Sequence, residues 1–280
     1  MDTVSGPVWA NHPLRAQPRG GHRHHTTGGQ PAWPSFRGTA QLVGSAAGVT
    51  VFVDPAVGAA AVQNAQDLLG AAPHVVAQNN AIFGITGGAV DIVLFALGGA
   101  TDGTGGADHG GCDFITGNAI EVDVCVGQPA RVTALFEAEL SECAMNGRLC
   151  GYSTGEALSR WCAAAVSGNA LADFATAPSW AANGMRDWVN TTDTSDQDPD
   201  STGCGMAFLS WLLANGHTLP EVAQRLVALG DQATLAQLYA DLTGAGPATA
   251  WSDFHQAVTA LPGSLTSDDP FNALPTITLP

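Results

Sequence analysis

Residues 134–145 read ALFEAELSECAM, a run of strong helix formers that nevertheless carries three glutamates. Which way those acids point decides both the fold and the chemistry. At about 100° per residue, Val132, Phe136, Leu140 and Cys143 fall on one face and form the expected buried stripe. Glu137 and Ser141 point nearly the opposite way, so they are expected in solvent. Glu139 lies about 50° from the centre of the stripe, and Glu142 joins it on the same flank one turn later. One unpaired buried carboxylate is costly, and two side by side cannot easily both ionise. The pair is therefore a candidate catalytic or cation-binding site. The alternative is that both acids reach solvent at the rim of a partly covered helix.

The flanks on either side differ in kind. Upstream, TAQLVGSAAGVTVFVDP (39–55) predicts two short strands around a glycine turn, and AVGAAAVQNAQDLLGAA with HVVAQNNAIFG predicts helix. VDIVLFAL (90–97) is the continuous apolar run of a strand buried on both faces. A glycine-rich loop follows, and then NAIEVDVCV (118–126), whose alternation predicts an edge or half-exposed strand. Downstream, helices are expected over about 155–167, 203–215, 219–229, 233–243 and 248–260. Residues 1–38, rich in Pro, Gly, Arg and His and lacking a period, are read as a tail or pro-segment. The HRHH at 22–25 is a possible metal-capturing tract.

The order of these elements resembles the gluzincin branch of zinc metallopeptidases, the thermolysin-like architecture, over about residues 45–260. In that family an HExxH helix follows an edge strand; here AELSE (138–142) follows NAIEVDV. The resemblance places Ala138 at the first ligand position, Glu139 at the general base and Glu142 at the second ligand. GEALSRW (155–161) is similar to the helix that carries the third ligand, which makes Glu156 its counterpart, and DSTGCGMAFLSWLLANG (200–216) to the later helix beside the cleft. The implied fold is α+β and zincin-like. It has an N-terminal mixed sheet with helices over 39–130, a mostly helical subdomain over 131–265 and a tail over 266–280.

Both histidines of HExxH are absent, and Ala138 offers no ligand atom. An open zinc site built on neutral imidazoles is therefore not expected from this motif. Glu139, Glu142 and Glu156 together would suit Ca²⁺ or Mg²⁺ better than zinc. Without metal, Glu139 and Glu142 form an acid/base pair for a carboxylate-dependent hydrolase. A second possibility is a non-catalytic pseudopeptidase that pairs extended peptides with its edge strand, and a third is a structural secreted protein. Glu156 also has a purely structural explanation, because STGE (153–156) matches a capping box with Ser153 as N-cap.

Four further residues are candidates for binding a peptide or glycan in the cleft. Asp108 and His109 lie in the glycine loop, where His109 is the best substitute for a missing ligand or a proton shuttle. Trp180 and Trp188 lie in SWAANGMRDWVN and could line a groove. Asp196, Asp198 and Asp200 are spaced like the start of a calcium loop, but Ser201 replaces its glycine and Ala207 its final glutamate.

Composition narrows the partners. The 280 residues contain nine arginines and no lysine, and beyond residue 37 there are 24 acids against five arginines, a formal −19. Such a surface repels phosphate backbones and anionic lipid, so neither nucleic acid nor membrane is an expected partner. No apolar run approaches the roughly 18 to 20 residues of a membrane span. Six cysteines without a CxxC pair suggest disulfides, with Cys112–Cys125, Cys143–Cys150 and Cys162–Cys204 as the nearest-neighbour pairing. That predicts an extracellular or periplasmic address, although residues 1–30 show no signal-peptide pattern.

Overall fold

A computed structural model describes residues 30–275. The HRHH tract lies outside them. The described residues form an α+β fold of one five-stranded mixed sheet and eight α-helices. β1 (Gln41–Ala46) and β2 (Val49–Val53) are antiparallel, joined by Ala47 and Gly48, both at positive φ, as a two-residue hairpin turn requires. α1 (Ala59–Phe83) then crosses to β3 (Val90–Phe95), which is parallel to β2. β5 (Ala119–Asp123) runs parallel to β3, and β4 (Ala107–His109) lies antiparallel beyond it, so the order is β1-β2-β3-β5-β4. The segment expected at the edge is thus an interior strand, and the edge is the three-residue β4.

The alternation in β5 misleads because its polar face is covered. Ile120 and Val122 join the main core, while Glu121 and Asp123 point to the other side and are fully buried there. Glu121 accepts hydrogen bonds from Ser35 N (2.8 Å), Ser35 Oγ (2.5 Å) and Phe36 N (2.6 Å). Those donors belong to the stretch assigned to the tail. Residues 30–38 in fact strap the sheet, with Trp33 and Phe36 packing on Val93, Phe95 and Leu97. Asp123 accepts from Gly105 N and Cys125 N, each at 2.9 Å. A Cβ on Gly105 would collide with the Leu97 carbonyl and the Asp123 carboxylate, so only glycine admits this approach.

α2 (Pro129–Ala144) packs against the other face with α1, and α3 (Ser153–Ser167) covers α2 from outside. α4 (Ala177–Ala182), α5 (Pro199–Ala214), α6 (Leu219–Leu229), α7 (Leu235–Thr243) and α8 (Ala250–Thr259) complete the chain. α1 is a single helix despite Pro73, where the sequence suggests two pieces. One cluster of buried side chains runs from Val49 to Val258, so the change of element type near residue 130 is not a break in the core. The expected C-terminal tail is also tied down. Asp268 accepts from Thr176 N and Ala177 N, both at 2.7 Å, and pairs with Arg160, while Asp269 accepts from Ser210 Oγ at 2.6 Å.

Candidate functional site

α2 is enclosed by α1, α3 and the sheet, and this sets the fate of each glutamate. Glu137, expected in solvent, is fully buried. Ser141 Oγ lies 3.2 Å from both Glu137 Oε1 and Asn79 Oδ1, and among the described residues Glu137 has no ion pair. A hydroxyl has one proton to give, so the chain closes when Glu137 is protonated, donates to Ser141 and Ser141 donates to Asn79. Burial holds the Glu137 carboxyl well above its usual range, consistent with that assignment. The angular argument failed here because it assumes a helix with one covered side.

Glu139 and Glu142 do turn inward, with side chains 11% and 21% exposed. They meet His109 at the end of β4. His109 is paired with Ile120 in the sheet, so its ring faces the helices, and it is itself buried. Its Nε2 lies 2.9 Å from Glu142 Oε2 and 3.3 Å from Glu139 Oε2, and its Nδ1 contacts the Gly111 carbonyl. With acceptors at both nitrogens, the ring is an imidazolium that donates twice. Burial alone would lower its pKa, but Glu139, Cys143 and Glu142 outweigh it and hold the pKa well above 6.5. The ring is kept in place by backbone: a Cβ on Gly117 would strike the Gly111 carbonyl and crowd His109 Nδ1.

Three carboxyls around one imidazolium cannot all be ionised. Burial, then Glu142, Asp108 and Glu156, push Glu139 well above the usual carboxyl range against the pull of His109. Glu156 is raised to about 8 by burial and by Glu142. Its capping explanation does not hold: α3 begins at Ser153, Tyr152 stands at the cap without a side-chain bond, and Ser153 Oγ instead accepts from Asp193 N. Arg160 directs its guanidinium to Phe174 O and Asp268. Asp196 adds a further negative charge near Glu156.

The other candidates separate from this group. Asp108 opposes Glu121 across the β4–β5 ladder and so faces the opposite side of the sheet from His109, although its charge still reaches Glu139. Trp180 is fully buried, stacked on Phe254 with its N–H given to Arg186 O, and has no surface for a ligand. Trp188 is half-buried against the core, with the Arg186 guanidinium over its ring. Asp198 caps α5 and Asp200 holds Asn183, so no calcium loop closes there. A cavity lined by Arg160, Trp161, Asp268 and Leu274 touches none of the clustered acids.

The disulfide is Cys112–Cys150, and Cys125, Cys143, Cys162 and Cys204 are free and buried. Nearest-neighbour pairing fails because the loop after β4 folds back onto the α2–α3 turn, where Gly147 N donates to Cys112 O at 2.6 Å. The bridge thereby ties the His109 loop to the two helices that carry Glu142 and Glu156. Cys143 was missed as a neighbour of His109; its Sγ lies 3.3 Å from Gly117 O, and burial outweighs the pull of His109 and raises its thiol pKa. A fully buried thiol that resists ionisation is no nucleophile.

The zinc implied by the gluzincin resemblance does not fit residues 138, 142 and 156, since Ala138 has no donor atom and Glu142 supplies a carboxylate where that site needs an imidazole. The chain matches no protein-family model, no curated protein and no solved structure. No described helix is long and apolar enough to cross a membrane.

Proposed function

We propose that this protein is a metal-independent hydrolase of extended polypeptide, built on a zincin-like scaffold whose zinc chemistry has been replaced by a carboxylate–imidazole cluster. The observation that carries the reading is His109 Nε2 clamped between Glu139 and Glu142 beside the last strand of the sheet. Among the described residues β4 is the last strand of the sheet, so an extended chain can add there by backbone pairing and bring a scissile carbonyl to the cluster. The raised pKa of Glu139 and the greater exposure of Glu142 support the following roles. Glu142, the more exposed carboxylate, takes a proton from water as the water attacks the carbonyl carbon. The Nε2–H of His109 steadies the oxyanion, and Glu139, which holds its proton, passes it to the departing amine as the C–N bond breaks. Glu139 thus serves as acid, where the family resemblance implies a base. The Cys112–Cys150 bridge supports an extracellular or periplasmic setting.

The test is digestion of a mixed peptide and glycan library at pH 4 to 8 in chelator, read by mass spectrometry. Wild type should cut peptides, and Glu139→Gln and Glu142→Gln should each lose at least ~100-fold in turnover, the low end for a general acid or base. Cleavage that survives Glu139→Gln, or no cleavage by wild type, refutes the reading. A second reading, a pseudopeptidase that only binds peptides along β4, draws on the fact that both ring nitrogens of His109 are already satisfied, as in a structural staple. In that case Glu139→Gln leaves peptide affinity unchanged and no variant cuts.

A further inference from the structure

The loop after β4 delivers a sulfur to the cluster as well as an imidazole. A ring nitrogen of His109, Cys112 Sγ and a Glu142 carboxylate oxygen all lie within 4.8 Å of one another. A second carboxylate, Glu139, stands 3.3 Å from His109 Nε2. Tetrahedral zinc, with bonds of about 2.0–2.1 Å to N or O and about 2.3 Å to S, sets its ligand atoms roughly 3.3–3.6 Å apart. The 2.9 and 3.3 Å separations from His109 to the two carboxylates already approach that spacing. The outer sphere is also in place, because Nδ1 faces the Gly111 carbonyl and leaves Nε2 as the ligand nitrogen, the arrangement that orients metal-binding histidines. One covalent bond stands in the way: Cys112 is joined to Cys150.

We propose that reduction of Cys112–Cys150 turns this cluster into a zinc site, with Cys112, His109 and Glu142 as ligands and Glu139 positioned as the fourth. Two equivalents of a small-molecule thiol supply the electron pair; the S–S bond breaks, each cysteine sulfur takes a proton, and the reductant leaves as its own disulfide. Zinc then replaces the Cys112 thiol proton, the Nε2 proton and, as Glu139 ligates, its carboxyl proton, and all three go to solvent. A thiolate, an imidazole and a carboxylate form a set suited to zinc and not to Ca²⁺ or Mg²⁺. The set shares only Glu142 with the ligand positions that the gluzincin resemblance implies. The inference is independent of the hydrolase reading, since it concerns metal affinity and not turnover.

The test compares Cys150→Ser, which frees Cys112 with no reductant present, with Cys112→Ser, which breaks the same bridge but removes the ligand. Zinc affinity is measured by competition with a chromophoric chelator, and cobalt(II) spectra report sulfur ligation. Cys150→Ser should bind one zinc at least ~100-fold more tightly than oxidised wild type and than Cys112→Ser, the upper end of what even an outer-sphere partner contributes. It should also show a thiolate-to-cobalt band that Cys112→Ser lacks. Adding His109→Ala to Cys150→Ser should return affinity to the oxidised level. Equal binding by the two serine variants overturns the proposal, and so does a cobalt band that persists in Cys112→Ser, which would point to Cys143. Wild type reduced with a phosphine gives the same comparison without substitution. If it keeps its circular dichroism but gains no zinc affinity, or loses its fold, the proposal also fails.

Discussion

The two faces of the sheet each bury a pair of carboxylates, and they solve the problem in opposite ways. On one face, Glu121 and Asp123 meet fixed backbone donors from Ser35, Phe36, Gly105 and Cys125. On the other, Glu139 and Glu142 share a single imidazole, with Glu156 close enough to raise Glu139 further. Acids whose two oxygens each meet a fixed donor make structure, because the hydrogen bonds lost with water are replaced permanently. Undersupplied acids keep protons that can be moved, and that is what chemistry requires.

The comparison is broken most severely on the undersupplied face by activity and on the saturated face by stability. The loss of at least ~100-fold in turnover for Glu139→Gln should come with less than about 1 kcal/mol of lost stability in urea denaturation, because an amide keeps both the shape and the neutrality of the protonated carboxyl. Glu121→Ala should do the reverse. It strands the Ser35 and Phe36 amides inside the sheet–strap interface, costs about 2–4 kcal/mol, and leaves zinc binding by the reduced cluster unchanged. Equal destabilisation by the two substitutions would erase the distinction.

One side of this division was legible in the sequence. The apolar stripe of Val132, Phe136, Leu140 and Cys143 correctly turned Glu139 and Glu142 inward, and His109 was singled out as their potential partner. Three features needed tertiary knowledge. The 30–38 strap has no periodicity, and its role depends on donors meeting a glutamate 85 residues away. The alternation of β5 shows that one side is polar but not that the polar side is covered. The Cys112–Cys150 bridge follows from the fold-back of a glycine loop, which nearest-neighbour spacing does not encode. The zincin-like assignment itself remains a resemblance in element order; the observed structure is α+β with a mixed sheet, which is the coarser part of that expectation.

Glu156 sharpens the comparison through pH. Its folded pKa, raised to about 8, means that the native state holds a proton the unfolded chain releases near 4.5. Its stabilising contribution is therefore complete below pH 4.5, declines as pH rises, and is gone once pH passes about 8. Glu156→Gln should flatten that part of the stability profile between pH 4.5 and 8, measured by denaturant titration at successive pH values. An unchanged profile would show that Glu156 is solvated and does not belong to the cluster.

The smallest effect is expected at Glu137, two residues from Glu139 on the same helix. It is buried like Glu139 but faces a hydroxyl and an amide in place of an imidazolium. Burial raises its pKa as well, so the sign is the same: stability from this group is full below 4.5 and falls as pH climbs toward the folded value. At pH 5 Glu137→Gln exchanges a protonated carboxyl for a neutral group of the same shape, and stability should change by no more than about 1 kcal/mol. The variant should then gain on wild type as pH rises, while peptide turnover stays level throughout. If Glu137→Gln instead abolished turnover, burial alone would be the property that matters on α2. The contrast between an acid facing a cation and an acid facing a hydroxyl would then lose its meaning.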